Sequence, residues 1–113
     1  MKDIILFTSA NNETQIEVQF EKETVWLSKS QITQLFQRDK SVITKHINTV
    51  FKEGELDKNN TVQKMHSANA DKSVDFYNLH VTISFGYHVK SKEETRFRQW
   101  ATQQLDENNK VAA

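Results

Sequence analysis

The 113-residue sequence contains no cysteine. That excludes zinc fingers, iron–sulfur clusters, thiol catalysis and a disulfide framework, and it fits a reducing compartment. No apolar run approaches the ~18 residues of a membrane span, and Met1-Lys2-Asp3 does not open a signal peptide. A soluble, cytoplasmic protein with no membrane partner is therefore expected. Glycine is limited to Gly54 and Gly86, and neither has the spacing of a phosphate-binding loop. Net charge is absent too, because 15 basic side chains balance 15 acidic ones. A nucleic-acid-binding domain usually has a pI above about 9, so any electrostatic case for DNA must rest on how the charge is distributed.

The distribution is uneven around Trp26–Leu56. From Ser28 to Lys52 the basic residues are Lys29, Arg38, Lys40, Lys45 and Lys52, with Asp39 as the single acid. Acids gather instead at Glu13–Glu23 and Glu53–Asp57. The same stretch predicts two helices. Ser28 and Gln31 have the spacing of a capping box, and Ile32, Leu35 and Phe36 then form one apolar stripe. Gln37-Arg38-Asp39-Lys40 interrupts the pattern and offers Asp39 or Ser41 as the next N-cap. Val42, Ile43, Ile47, Val50 and Phe51 repeat the stripe, and Gly54 stands where a helix C′ residue belongs. Two helices joined by about four residues match a helix-turn-helix in size and spacing.

Before this unit, Ile4–Thr8 is apolar and β-branched, Asn11-Asn12-Glu13 signals a turn, and Gln15–Glu21 alternates strictly. Together they predict an N-terminal hairpin. Val25-Trp26-Leu27 reads as a strand end leading into the first helix, with Trp26 as a hydrophobic anchor. After the unit, Glu55–Asn60 reads as a polar loop. Thr61–His66 and Ser73–Tyr77 flank Asn69-Ala70-Asp71-Lys72 as a second short hairpin. It is either a plain surface hairpin or a wing offering Lys64, His66 and Lys72. Asn78 can cap a helix to about Lys90, in which Gly86 either costs about 1 kcal/mol of propensity or permits a close helix crossing. Ser91 with Glu94 resembles a second capping box, opening a helix to about Glu107 with Phe97, Trp100, Ala101 and Leu105 on one face.

Catalytic and metal chemistry find no constellation. His46, His66, His80 and His88 fall in different elements or two turns apart. His80 and His88 at i, i+8 are about 12 Å apart by helix rise, too far to share a metal. Serines and carboxylates form no nucleophile elbow. No enzyme, cofactor or metal is expected. The helix pair remains, and in such a unit the second helix enters the major groove. Ser41, Thr44, Lys45 and Asn48 form the polar complement of its apolar stripe. Lys45 suits guanine O6 or N7, and Asn48 suits a bidentate pairing with adenine. Gln31, Arg38 and Lys40 suit phosphate contacts that set register.

Several longer pieces, VWLSKSQITQLFQRDKSVITKHINTVFKEGELD, FYNL, GYHVKS and FRQWAT, resemble the N-terminal part of the RhuM family of bacterial virulence-associated proteins. The resemblance runs from about Ile4 to Leu105. The later part is also similar to the BRO-N domain of phage antirepressors, in which a basic Ser-Lys stretch precedes an FRxW-like helix. The resemblance implies a DNA-binding protein and marks Tyr87, Lys90, Ser91, Lys92, Phe97, Arg98 and Trp100 as family-pattern positions. Phe97 and Trp100 suit the core, whereas Lys90, Lys92, Arg96 and Arg98 suit a second basic patch. Full-length members are longer, which implies that this chain is the N-terminal domain of a longer protein.

The expectation is an α+β fold: a helix-turn-helix, with the wing as an option, an N-terminal β-hairpin, a second short hairpin and two C-terminal helices. Residues 1–107 form one domain, and 108–113 a frayed tail. The expected function is transcription regulation through double-stranded DNA, with a homodimer or a protein partner as further options. Two alternatives stand beside it: an antirepressor-like protein-interaction or oligomerisation module, and the non-catalytic N-terminal part of a larger enzyme or toxin.

Overall fold

The alternation of Gln15–Glu21 is the pattern from which the sheet is built. In the computed structural model, which describes residues 3–9, 12, 14–21, 23–66 and 73–112, that stretch is strand β2, paired antiparallel with Asp3–Thr8 (β1). Ile5 lies opposite Val18 and Phe7 opposite Ile16. Side chains alternate across a strand, so Ile16, Val18 and Phe20 all reach the core while Gln15 and Glu17 face water. Of the turn between them, Asn12 takes the left-handed conformation that asparagine tolerates, φ 61°. Asn11 and Glu13 lie outside the described residues.

Val25-Trp26-Leu27 is more than a strand end. Thr24–Ser28 forms a full strand, β3, with Val25 opposite Phe20. Lys29–Phe36 (α1) and Lys40–Lys52 (α2) follow, separated by a three-residue turn. The expected polar loop contains a short helix, Lys58–Thr61 (α3), because the Asp57 side chain caps it by accepting from Asn59 N–H at 2.9 Å. Val62–His66 (β4) and Ser73–Asn78 (β5) then form the second hairpin. The residues of its expected turn, Asn69 to Lys72, lie outside those described. Leu79–His88 (α4) and Lys92–Ala112 (α5) complete the chain, and α5 runs past its expected end near Glu107.

The second hairpin is joined to the N-terminal strands. Strand β5 pairs antiparallel with β3, with Leu27 opposite Tyr77 and Trp26 opposite Asn78, giving one five-stranded sheet of order β1-β2-β3-β5-β4. One face of this sheet supplies Phe7, Ile16, Val18, Phe20, Val25, Leu27 and Tyr77 to the main core. The helices cover it with Ile32, Leu35 and Phe36 from α1, Ile43 and Ile47 from α2, Val81 and Phe85 from α4, and Phe97 and Ala101 from α5. Each fully buried aliphatic or phenylalanine side chain contributes about 1.5–3 kcal/mol by transfer. Trp26 and Phe76 make a separate small cluster. The Trp26 indole N–H donates to the Glu21 carbonyl at 2.9 Å, so this ring is an anchor and not an exposed stacking platform.

Gly86 serves the close crossing. A Cβ built there would lie 2.7 Å from Cβ and Cγ of Glu94 and 2.9 Å from Cζ of Phe36, so only glycine lets α4 approach both neighbours this closely. The second capping box forms only in part. Ser91 Oγ accepts from Glu93 N–H at 3.1 Å, but the buried Glu94 carboxylate turns to Arg98 Nε (3.1 Å) and the Thr95 hydroxyl (3.2 Å) instead of reaching back.

Candidate functional site

Both ends of α1 are fixed by side chains rather than by packing alone. Ser28 Oγ accepts from Gln31 N–H (3.2 Å), and Gln31 Oε1 accepts from Ser28 N–H (3.0 Å), so the capping box is complete. Gln31 Nε2 also donates to the Glu17 carbonyl at 2.8 Å. Its amide thereby ties the helix start to β2. At the other end Gln37 adopts the left-handed conformation, φ 53°, and Arg38 N–H donates to the Thr33 carbonyl at 3.3 Å. The Arg38 guanidinium donates to the carbonyls of Phe36 (3.1 Å) and Gln37 (3.3 Å), and across to Val89 at the end of α4 (3.3 Å). A cation on the last carbonyls of a helix is favourable, and here it also sets the turn against α4.

Helix α2 begins at Asp39, whose carbonyl accepts from Val42 N–H (3.1 Å) although its side chain makes no cap bond. It ends in a Schellman arrangement. Gly54, φ 74°, donates to the Phe51 carbonyl and Glu55 N–H to the Val50 carbonyl, the role expected for this glycine. Ile43, Ile47 and Val50 are buried, while Lys40, Ser41, Lys45, Asn48, Thr49 and Lys52 are exposed and Thr44 is half-buried. Four of the seven predicted contact residues, Lys40, Ser41, Lys45 and Asn48, thus sit on the solvent side of α2 with Thr44 at its margin. Arg38 stands exposed in the turn beside them, whereas Gln31 is half-buried on α1. Among the described residues no ion pair involves Lys40, Lys45 or Lys52. Val42 departs from expectation. Placed in the apolar stripe by spacing, it is exposed because the core contact of this turn is taken by Ile43.

One flank of α2 faces an open groove of about 520 Å³ whose lining includes Val42, Lys45, His46, Glu53, Glu55 and His88. Spacing arguments tested only histidines within one helix and missed the pair formed between helices. His46 of α2 and His88 of α4 stack with ring centroids 4.4 Å apart. His46 Nε2 shares a 3.0 Å hydrogen bond with the Ser84 hydroxyl, and its ring meets Phe85 edge-on at 5.7 Å. Burial, and then the neighbouring His88, lower the His46 pKa. The unfolded chain therefore takes up this proton more readily. Stability should fall as pH drops through the ordinary histidine value near 6.5 toward the lower folded value. Thermal melts from about pH 7.5 to about pH 5, the span over which histidine titrates, test this. His46→Gln should flatten the slope, and an unchanged slope would refute the assignment.

The remaining predicted cations are mostly engaged. Lys64 pairs with Asp75 at 3.5 Å, while the His66 side chain and all of Lys72 lie outside the described residues. In the expected second basic patch, Arg98 pairs with Glu94 and Arg96 Nη2 donates to the Thr8 carbonyl at 3.3 Å. Lys90 and Lys92 are exposed. Phe97 is buried and Trp100 partly so, as expected. Tyr87 is 59% exposed. Among the described residues no group of three or more metal-ligating side chains occurs, and no helix is long and apolar enough to cross a membrane.

These features define a mixed α+β domain that presents a two-helix unit from the covered face of an antiparallel sheet. Residues 55–110 match the virulence protein RhuM family, so the part from the end of α2 into α5 is similar to that virulence-associated family. No curated protein and no solved structure matches the chain. The helix pair precedes the matched residues.

Proposed function

We propose that the domain is a DNA-binding regulatory module in which α2 lies along the major groove and α1 holds it there. The observation that carries this reading is the two-sided character of α2. Its inner face is buried on Ile43, Ile47 and Val50, and its outer face presents Lys40, Ser41, Lys45, Asn48 and Lys52 to solvent. Lys45 and Asn48 are the base-reading residues, with Ser41 and Thr44 beside them; Lys40 and the exposed edge of Arg38 meet phosphates. Gln31 acts from behind, because its amide is already spent on the cap and on Glu17.

Fluorescence anisotropy with a duplex selected from random sequence is the test. Lys45→Ala should cost about 1–3 kcal/mol of binding and relax specificity, whereas Lys40→Ala should weaken all duplexes alike and reduce the salt slope by about 1. Absence of binding to any duplex at low salt would sink the reading. A second reading, a protein-interaction module like the antirepressor domains that the later part resembles, is favoured by exposed Tyr87 and Val42 and by Glu53 and Glu55 in the groove beside α2. Its mark would be binding of a protein partner that survives Lys45→Ala.

A further inference from the structure

At the joint between α2 and α4, one imidazole touches a whole face of the neighbouring helix. His46 shares a hydrogen bond with Ser84, meets Phe85 edge-on and stacks on His88. Those three residues are spaced at i, i+1 and i+4, so they stand on one side of α4. His46 is half-buried there, one residue before the core residue Ile47, whereas His88 is exposed. A change at this ring is therefore felt where α2 is seated.

The surrounding charges decide what a proton does at the pair. Helix α2 brings Lys45, and Glu53 at its C-terminal end, to the groove that the two rings line; Glu55 follows from the turn, and α4 brings His88. Ser84 and Phe85 carry no charge. Two neutral imidazoles stack as ordinary aromatic rings. A first proton leaves one neutral ring to lie against the cation, but a second sets like charges on rings 4.4 Å apart, with Lys45 on the same groove. The Ser84 hydroxyl accepts from a protonated His46 without offsetting its charge. Glu53 and Glu55 supply the counter-charge toward which a ring that leaves the stack can turn.

We propose that the stacked pair is a proton-driven latch between α2 and α4, closed while the rings are neutral and opened as they gain charge, so that acidification takes α2 out of its DNA-reading pose. The two arrangements are the stacked rings of the closed joint and parted rings with carboxylate partners. The DNA consequence rests on the reading proposed above; the latch itself does not. Linkage makes the coupling reciprocal, so a duplex that binds the closed joint also expels the protons.

Nuclear Overhauser contacts in the whole chain test the latch, beside duplex titrations at constant salt. The His46–Phe85 ring contact should be present at about pH 7.5 and lost by about pH 5.5, while the Phe7–Phe97 contact persists. Duplex affinity should fall about tenfold over the same span. Added positive charge alone would raise it, so the sign separates the latch from bulk electrostatics. His88→Phe keeps a ring on His46 without a second charge. Its joint should stay closed to a lower pH than wild type. A wild-type His46–Phe85 contact that survives at about pH 5.5 overturns the latch, as does its loss only together with Phe7–Phe97, which is general unfolding. A His88→Phe joint that opens at the wild-type pH overturns it too. Affinity that holds or rises while the contact is lost overturns the coupling to DNA. If no duplex binds at about pH 7.5, the DNA reading fails by itself and the ring contact still decides the latch.

Discussion

Replacing Phe97 with alanine should remove about 3–5 kcal/mol of folding stability, a large share of the ~5–15 kcal/mol that holds a typical domain together. Phe97 is fully buried. Its ring meets Phe7 edge-on at 5.2 Å and lies 5.7 Å from Trp100, so it joins α5 to β1 through an aromatic group that also includes Phe20. Truncation loses the transfer free energy of the ring and leaves a space that neighbouring rings, themselves in contact on other sides, fill poorly. Urea unfolding of the variant beside wild type measures the effect. A loss under about 1 kcal/mol would mean that α5 is seated less firmly than this packing implies.

Gly86→Val should be nearly as damaging, at about 3 kcal/mol or more. Helix propensity alone argues the opposite, because glycine inside a helix costs about 1 kcal/mol relative to alanine. Geometry decides the sign. The new Cβ would sit 2.7 Å from two carbons of Glu94 and 2.9 Å from the Phe36 ring. Glu94 cannot swing aside freely, since it is buried and its carboxylate is held by Arg98 and Thr95. Phe36 is buried as well, between α1 and Phe85 of α4. Accommodation therefore requires α4 to retreat from both neighbours. Thermal unfolding of Gly86→Ala and Gly86→Val should show a graded loss, and a stabilised alanine variant would show that the crossing can relax.

Local patterns were legible wherever one physical cause dominated. The capping box at Ser28 and Gln31, the left-handed Gly54, the alternation of Gln15–Glu21 and the cap at Asn78 are each decided within a few residues, and each occurs in the fold. What eluded the sequence was decided at a distance. The segment Val25–Leu27 looked short because a strand flanked on both sides needs little length of its own, and its second neighbour, β5, comes some fifty residues later by register. Val42 fits the helical stripe as well as Ile43 does, and only the placement of the neighbouring helices, α1 and α4, decides which one is covered. Glu94 has the spacing of a capping residue, yet Arg98 one turn onward offers it a charged partner. The His46–His88 stack joins helices that no periodicity relates. At the candidate site, the exposed residues of α2 followed from its period, but the commitment of Gln31 to β2 and of Arg38 to the end of α4 did not.

The seat of β5 between β3 and β4 also sets an order of assembly. The helix pair, α3 and β4 all lie within the chain segment that must fold back before Tyr77 can meet Leu27. Until that meeting, β3 is the open margin of a three-stranded sheet, with Leu27 uncovered on one side. A chain emerging in order from the ribosome must therefore keep β1, β2, β3, α1 and α2 waiting for β5, and closing so long a loop is slow. Conversely, the residues that match the family begin after β3, so a fragment beginning at Glu55 would carry β5 without the strand that completes it. Any fragment that keeps β3 paired with β5 must span both halves of the chain.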